Sequence, residues 1–322
     1  MSILFVTSPE NNAGKTALIV ALGQRLGRLG KRVGYRRLPG PGASADATFV
    51  RSALQQRESL DVICPPPDGI ASSLQADFDV LLVEAGDPVA AAATANGFDV
   101  VPLIVTRFAV DHVAETSIAH ARALSLDRAN VLINAVPDKG RRQVQQRIVP
   151  ALQDAGLNVV GIIPQDRTLL GTTVGELARA LEAEVLCAGD QLSLPVEAVM
   201  IAAMSDEGAE EYFSRIPRKA VVAAGDRPDI HMPALATDTS CIVLSAGLAP
   251  DPTVFKTADQ QGVPLLQVSP DTMAVLDRIA EHFGQVRFHQ RHKIGPAVAL
   301  LREHLDEAAL FTILGMDGRE VA

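Results

Sequence analysis

Residues 8–16 read S-P-E-N-N-A-G-K-T and lie between the apolar run I-L-F-V-T at 3–7 and a helix-like stretch at 17–29. A strand, a loop ending in Gly-Lys-Thr and a helix, in that order, are typical of a phosphate-binding loop. Ser8 and Pro9 stand where the usual motif has its first glycine. Nucleotide binding is therefore the first functional hypothesis, and an ordinary strand-to-helix turn is the alternative.

The residue types in this loop fit phosphate chemistry. Backbone N–H groups at a helix N-terminus face phosphate oxygens, a lysine neutralises their charge, and a threonine hydroxyl can ligate Mg²⁺. Lys15 is accordingly the first candidate for a catalytic role. The candidate nucleotide-binding residues of the loop are Asn12, Ala13, Gly14, Lys15, Thr16 and Ala17.

The composition indicates an α/β protein. The 322 residues are 48% hydrophobic but only 4% aromatic, as in parallel strands covered by helices, and the length favours two domains. A net charge of −9 with scattered basic residues argues against nucleic-acid binding. Three distant cysteines indicate neither disulfides nor a zinc site. The N-terminus lacks a signal-peptide pattern and charges interrupt every long apolar run, so we expect a cytoplasmic protein without a membrane segment.

Short apolar runs alternate with helical patterns from residue 2 to about residue 164. This alternation predicts crossover connections and a parallel sheet, which would bind its ligands outside the carboxyl ends of the strands. The predicted strands are 3–7, 32–36, 80–84, 100–106, 130–134 and 159–163, and the predicted helices are 17–29, 45–57, 111–123 and 142–155.

Polar residues fall at or near these strand ends. Glu84 closes D-V-L-L-V-E, where its carboxylate would reach the metal side of a nucleotide, and a helix-capping acid ahead of 88–95 is the alternative. Asn134 closes V-L-I-N and would either pair with a base or serve as a turn residue. Asp46 is best interpreted locally as a charge at a helix N-terminus. Arg37 is ambiguous.

The second half of the chain predicts another compact α/β domain. The buried runs A-V-V-A-A-G and C-I-V-L-S-A-G each end in small residues and a polar turn, which indicates a pocket at the strand ends. The adjacent cluster of Asp226, Arg227 and Asp229 would bind an anionic ligand or a partner. An internal ion pair that fixes the turn is an equal alternative.

The last segment, from about 284 to 315, carries apolar residues at helical spacing. We expect it to pack on the body of the protein or on another subunit, which leaves a homodimer open. The histidines at 282, 289 and 292 lie in a stretch without carboxylate or thiol, so the sequence predicts a solvated helix face there and no metal site.

Four segments together resemble a known branch of phosphate-loop proteins. They are F-V-T-S-P-E-N-N-A-G-K-T, G-Y-R-R-L-P-G-P-G-A-S-A-D-A, D-V-L-L-V-E and L-I-N-A-V-P. The branch is that of dethiobiotin synthetases and cobyrinate amidases, whose loop is one residue longer, so that Ser8 aligns with its first glycine. Residues 168 to about 279, with G-D-R-P-D-I and C-I-V-L-S-A-G, resemble a DRTGG domain. This pairing resembles the N-terminal part of long bacterial phosphotransacetylases, and we expect their acetyltransferase domain to be absent.

The resemblance implies an α/β architecture in three parts. The first part is a P-loop NTPase-like parallel sheet with helices on both faces, over residues 1–166. A smaller DRTGG-like α/β domain would follow over 167–283, and a C-terminal helical extension over 284–322.

The resemblance also implies ATP and Mg²⁺ as cofactors and assigns roles to individual residues. Lys15 would contact phosphate. Mg²⁺ would be held by Thr16, Asp46 and Glu84, with Asp46 either ligating the ion directly or acting from outside its first ligands, and Asn134 would meet the adenine. Ser8 joins the nucleotide-binding residues through the alignment of the loop.

Two departures from the branch count against biotin synthesis. The synthetase uses a lysine in its G-Y-x-P region to handle the diamine substrate, whereas this chain has Arg36 and Arg37 there. Arginine stays protonated, so Arg37 can bind an anion but cannot act as a base. The turn E-A-G-D after β-strand residues 80–84 also lacks the branch's glycine directly after the glutamate.

Three functional hypotheses follow. The first is a regulatory module that binds a nucleotide, senses a small anionic metabolite through the DRTGG domain and controls a partner such as an acetate-metabolising enzyme. The second is an ATP-dependent ligase or carboxylase in which Arg37 steadies an anionic intermediate; phosphate release that needs a particular small acid or amine would distinguish it. The third, kept open by Pro9, is a scaffold that no longer binds nucleotide.

Overall fold

The computed structural model of the protein describes residues 1–75, 77–85, 98–109, 112–126, 128–201 and 208–316. The chain forms two compact units. The first combines residues 1–166 with the chain from Arg287 onward, and the second consists of Arg167–Val286. The C-terminal segment, which was expected as an extension from residue 284, thus returns to the first unit.

Six parallel strands form the sheet of the first unit, in the order β2-β3-β1-β4-β5-β6. Their bounds are β1 Ser2–Thr7, β2 Val33–Arg37, β3 Val80–Glu84, β4 Val101–Arg107, β5 Asn130–Val136 and β6 Asn158–Pro164. Apart from their ends, the central strands are buried almost throughout, because helices cover both faces of a parallel sheet. The parallel α/β sheet predicted from the alternating pattern is therefore confirmed.

The helices of the first unit surround this sheet. They are α1 Lys15–Arg28, α2 Ala43–Ala53, Leu60–Ile63, Ile70–Ser73, Val113–Ala123, Arg141–Gln143, Val149–Asp154, Ile294–His304 and Glu307–Ile313, with 3₁₀ turns at Pro67–Gly69, Asp138–Gly140 and Arg291–Lys293. A π-helical turn, Val144–Ile148, precedes Pro150. Since proline has no N–H to donate back along the helix, a local widening at this point is expected.

The element boundaries differ from the predicted ones for local reasons. The predicted helix 45–57 ends at Ala53, because Gln55 has a left-handed φ of 53°. Helix α1 ends ahead of Gly30, which has a φ of 77°. The predicted capping segment at 88–95 and the start of the predicted helix at Asp111 lie outside the described residues.

The C-terminal segment covers the free edge of β6. Gly161 forms an isolated antiparallel bridge with Leu305, and the N–H of Asp306 donates to the carbonyl of Val160 at 2.8 Å. Pairing or covering an edge strand removes a template for unwanted strand addition. The C-terminal segment therefore packs on the body of the protein at β6, as predicted.

The second unit contains a five-stranded sheet in the order β10-β11-β12-β13-β8, in which only β8 is antiparallel to its neighbour. A two-stranded sheet pairs β7 with β9. The strands are β7 Thr172–Thr173, β8 Glu184–Val185, β9 Pro195–Val196, β10 Ala198–Ile201, β11 Lys219–Ala224, β12 Thr239–Ser245 and β13 Leu265–Gln267. The helices are Arg167–Leu170, Val174–Ala180, Ala209–Ser214, Pro228–Leu235, Pro252–Gln261 and Thr272–Gln285, with a 3₁₀ turn at Gly189–Gln191.

Alternation along the strands of this second sheet builds two apolar cores. Val221 and Ala223 on β11 join the core that contains Phe213, whereas Ala220 and Val222 join the core on the opposite side. Successive side chains of a strand point to opposite faces, so these continuously apolar strands need helices on both sides. The second α/β domain expected from the sequence is confirmed.

Among all residues that the structure describes, no helix has the length and apolar character needed to cross a membrane.

A pair of Gly→Ala substitutions in the second unit checks the turn after β11. A Cβ at Gly225 would meet the backbone carbonyl of Leu248, whereas a Cβ at Gly284 would point into open space. Gly225→Ala should destabilise the protein by about 1–3 kcal/mol, because backbone atoms cannot move aside. Gly284→Ala lies within a helix and should stabilise it by about 0.4–1 kcal/mol. Urea unfolding followed by circular dichroism measures both, and equal stabilities would contradict the close approach at Gly225.

Candidate functional site

The loop between β1 and α1 lies at the carboxyl end of β1, which is a central strand of the sheet with β3 and β4 as its neighbours. Asn12 and Gly14 adopt left-handed conformations, with φ of 56° and 103°, so the chain can turn tightly into α1. Gly14 is the N-cap of α1 and no side chain caps this helix. The first N–H groups of α1 therefore suit an anion, as in other helix N-termini that bind phosphate.

The loop is held in place by its own polar groups. The Ser8 hydroxyl accepts from the N–H of Glu10 at 3.1 Å and donates to the carbonyl of the same residue at 2.7 Å. The Glu10 carboxylate accepts from the N–H of Arg107 at 2.6 Å. A serine at the position of the missing glycine thus closes the start of the loop with its hydroxyl.

Asn134 supports the loop from β5. Its Nδ2 donates to the carbonyl of Ala13 at 2.8 Å, and its Oδ1 accepts from the N–H of Ala135 at 2.9 Å. A Cβ on Gly14 would collide with the Asn134 amide, so this position requires glycine for space as well as for its φ. The Nδ2 group has a second N–H. The contact of Asn134 with adenine stays a prediction.

Lys15 is buried beneath the loop, with 9% of its surface exposed. Its Nζ approaches the carbonyl of Glu10 at 3.5 Å. Burial lowers the pKa of Lys15, and the negative charge of Glu84 opposes that effect. A buried ammonium group is costly without an anionic partner, and a bound phosphate would be one.

Glu84 joins the loop to the sheet. Its Oε1 accepts from the Thr16 hydroxyl at 2.9 Å and its Oε2 accepts from the Tyr35 hydroxyl at 2.8 Å. Burial raises the pKa of Tyr35 well above its ordinary value, and the charge of Glu84 adds to this, so the phenol stays protonated and donates. Two of the predicted metal-binding residues, Thr16 and Glu84, are therefore in direct contact. Hydroxyl and carboxylate oxygens are ligands that Mg²⁺ accepts.

Arg37 lies between two carboxylates at the end of β2. Its Nε and Nη2 donate to Oδ2 of Asp46 at 3.2 and 3.1 Å, and its Nε is 3.8 Å from Oε1 of Glu84. Its Nη1 donates to the carbonyl of Leu38 at 2.9 Å. Burial opposes the charge of Arg37, but Glu84 and its other partners outweigh burial and raise its pKa. The guanidinium that was predicted to hold an anionic substrate is bonded to groups of the protein itself.

Asp46, the third predicted metal ligand, has both oxygens engaged. Oδ2 accepts from Arg37, and Oδ1 is 2.9 Å from Nε2 of His289. Burial works against ionisation, but the hydrogen bonds from His289 and Arg37 prevail and lower the pKa of Asp46. Asp46 is thus an ionised carboxylate, and it would have to release one of these partners to ligate a metal directly.

The donor set fits a nucleotide-bound metal only in part. Over the described ranges, no three His, Cys, Asp or Glu side chains converge on a common metal position. Thr16 and Glu84 supply oxygens of the right type, and Mg²⁺ at nucleotide sites commonly rests on one or two protein groups plus phosphates and water. Those two residues fit such a metal, whereas Asp46 in its observed arrangement does not contribute a ligand.

Three contributors to this site were missed in the sequence. Tyr35 is two residues before Arg37 on β2 and therefore on the same face of the strand, a signal that strand alternation offered. His120 bonds to the Thr7 hydroxyl at 2.9 Å, and its pKa is lowered by burial and then by the charge of Lys15. His289 is 243 positions from Asp46, and no local pattern announces that contact. The prediction of a solvated helix face is wrong for His289, because its side chain is only 25% exposed.

The charged cluster of the second unit forms an ion pair. Nε of Arg227 donates to Oδ1 of Asp229 at 2.9 Å, and its Nη2 donates to Oδ2 at 2.7 Å. This hydrogen bonding lowers the pKa of Asp229. The arrangement corresponds to the ion-pair alternative weighed for the sequence. Ligand binding by Asp226, Arg227 and Asp229 stays a prediction.

Comparison with known proteins confirms the expected resemblances to a DRTGG domain and to phosphotransacetylases. Residues 176–282 match the DRTGG domain family. Over 95% of its length the chain is 23% identical to the phosphate acetyltransferase of Nitratidesulfovibrio vulgaris, of which it covers 51%. The chain therefore spans about half the length of that curated relative.

Two solved structures share parts of the architecture. One contains the CBS and DRTGG domains of the regulatory region of Clostridium perfringens pyrophosphatase, complexed with the activator diadenosine tetraphosphate; it is 19% identical, with a TM-score of 0.33 over 39% of this chain and 56% of that chain. The other is the MinC:MinD cell division protein complex of Aquifex aeolicus, which is 16% identical, with a TM-score of 0.41 over 53% of this chain and 84% of that chain. Neither similarity assigns a function to this chain.

Removing one oxygen atom tests the role of Tyr35. Tyr35→Phe should destabilise the protein by about 1–3 kcal/mol, because the buried Glu84 carboxylate would lose a donor that water cannot replace. Tyr212, the other tyrosine of the chain, is half-buried in the second unit and provides the matched control. Tyr212→Phe should leave the unfolding midpoint in urea within error of the wild type. A similarly small change for Tyr35→Phe would contradict the buried hydrogen bond.

Proposed function

We propose that this chain is a Mg²⁺-dependent, ATP-binding regulatory protein. The observation that carries the proposal is the position of Lys15, a buried cation below a glycine-containing loop at an uncapped helix N-terminus. A phosphate group in the loop would meet Lys15 and the N–H groups of α1 together. Nucleotides present such groups, and Asn134 on β5 would contact the base.

Thr16 and Glu84 are the residues proposed to hold Mg²⁺ of the bound nucleotide. Their oxygens already face each other at 2.9 Å. The ion would supply positive charge to the phosphates, and Lys15 would add to it from below the loop. Asp46 takes part, in this proposal, only through its neighbours Arg37 and His289.

Regulation is favoured over ligation by the surroundings of Arg37. An ATP-dependent ligase needs a group that steadies its anionic intermediate. The Arg37 side chain is 4% exposed and three of its nitrogens donate to protein oxygens, so it offers little to a substrate. Loss of nucleotide binding is disfavoured as well, because the loop keeps Lys15 and Thr16 in place and Ser8 closes its start.

The second unit is proposed to sense a small anionic metabolite and to transmit its presence. Its DRTGG domain and the similarity of the chain to part of a phosphate acetyltransferase support a link to acetyl-phosphate or acyl-CoA metabolism. An enzyme of acetate metabolism is the proposed partner. Asp226, Arg227 and Asp229 remain the candidate ligand-binding residues of this unit.

Removing the buried cation tests ATP binding. Lys15→Ala should reduce the affinity for MgATP at least about a hundredfold, since a charge-assisted contact with phosphate is lost in a buried place. The control is Arg28→Ala, which removes a positive charge at the exposed far end of the same helix. Isothermal titration of both folded variants measures the effect. Unchanged affinity in folded Lys15→Ala would rule out the phosphate-binding loop.

Phosphate release separates regulation from ligation. With saturating MgATP, the wild-type protein should release phosphate no faster than Lys15→Ala, both alone and with a panel of small carboxylates and amines. A turnover that requires one of these compounds and disappears in Lys15→Ala would replace the regulatory proposal by an ATP-dependent ligase.

A further inference from the structure

Residues 287–293, here called the return segment, carry the chain from the end of the helix Thr272–Gln285 into the first unit. The segment lies along one face of α2. The guanidinium of Arg287 occupies the place of a Cβ at Gly42, the N-cap of α2. Further along, Phe288 and His289 contact Phe49, His289 contacts Asp46, and Arg291 contacts Ser52. Positions 42, 46, 49 and 52 are three or four apart, which places them on a single side of a helix.

The position of His289 is fixed by the contacts around it. The rings of Phe288 and Phe49 meet edge to face at 5.7 Å between centroids, and Nη2 of Arg291 donates to the Ser52 hydroxyl at 2.6 Å. The His289 ring also packs on Phe49, at 5.5 Å. With anchors before and after it, His289 is delivered to Oδ1 of Asp46 by the docking of the whole segment.

Asp46 cannot serve these partners and a metal ion equally. Direct ligation of Mg²⁺ requires an oxygen at about 2.0–2.1 Å in a strict octahedral geometry. Both Asp46 oxygens are held by cationic or N–H donors of the protein, and Arg37 stands between Asp46 and Glu84. A divalent ion bound by Asp46 would also repel the guanidinium of Arg37.

We propose that His289 is a positioning residue of the nucleotide site, which acts through Asp46 and withholds its carboxylate from the metal. Docking of the return segment and direct metal ligation by Asp46 then compete. The proposal rests on the proposed nucleotide binding and adds a means of regulating it. Thr16 and Glu84 hold the metal while the segment is docked, and Asp46 joins them when it is released.

Competition of this kind is reciprocal. If the docked segment weakens metal binding by some factor, bound metal weakens docking by the same factor. The return segment directly follows the last helix of the second unit in the chain. A ligand of the second unit that shifted the end of this helix would thereby act on the docking of the segment and so on the availability of Asp46.

The test measures metal affinity in the full-length protein. Mn²⁺, followed by electron paramagnetic resonance, is titrated in the presence of saturating AMP-PNP, a non-hydrolysable ATP analogue. His289→Ala should bind Mn²⁺ about tenfold more tightly than the wild type, as expected when a hydrogen bond to a charged group no longer competes. His289→Gln retains an N–H donor and should restore an affinity close to wild type. His112→Ala removes an exposed histidine of the first unit and serves as the control.

Hydrogen exchange supplies the reciprocal measurement. Adding Mn²⁺ with AMP-PNP to the wild type should increase exchange in residues 287–293, and the increase should be absent in His289→Ala because docking and metal ligation no longer compete for Asp46. Equal or weaker Mn²⁺ binding by His289→Ala, or greater protection of residues 287–293 with metal, would overturn the inference while leaving nucleotide binding intact. Absence of AMP-PNP binding to the wild type would overturn the proposed function and this inference together.

Discussion

The buried carboxylate of Glu84, at the carboxyl end of β3, determines which side chains surround the site. Glu84 is 1% exposed, and a buried charge is tolerated only when donors surround it. Tyr35 and Arg37 approach it from β2, and Thr16 approaches it from the first turn of α1. The strand order β2-β3-β1 is what brings these three donors together, because it places β3 between their strands.

The need to pair buried charges continues from Glu84 to the residues around it. Arg37, drawn to Glu84, is itself buried and takes Asp46 as its second counter-ion. Asp46 in turn accepts from His289, which only the C-terminal segment can supply. Acceptor and donor side chains thus alternate from Glu84 to Arg37, to Asp46 on α2 and on to the return segment. A ligand that adds charge at Glu84 would act on every member of this series, which is the basis of the proposed competition between a metal ion and His289 at Asp46.

Sequence reasoning reached the fold and the loop because both are local patterns. Alternating apolar runs gave the six strands, and G-K-T between a strand and a helix gave the positions of Lys15 and Thr16. Glu84 and Asn134 followed from their places at strand ends. The interactions of Arg37 could not be derived this way, because a lone arginine after an apolar run serves equally to bind a substrate or to neutralise a carboxylate.

His289 shows the limit of local patterns most clearly. Nothing in H-F-G-Q-V-R-F-H-Q-R-H distinguishes a solvated helix from a segment that docks on a distant helix. The role of His289 depends on the return of the chain to the first unit after residue 286, which is a property of the tertiary fold. The same return explains why the domain boundaries in the sequence did not reveal a unit built from two separated stretches.

The discontinuous first unit also orders events during synthesis on the ribosome. Residues 1–166 emerge before the second unit, but β6 gains its Leu305 bridge and Asp46 gains His289 only after more than a hundred further residues have been made. Until then the edge of β6 lacks these partners, and an unpaired strand edge is a template for pairing with other chains. The second unit can meanwhile fold as a continuous stretch. Its folding would thus precede the contact between His289 and Asp46, so that this contact is among the last to form in a newborn chain.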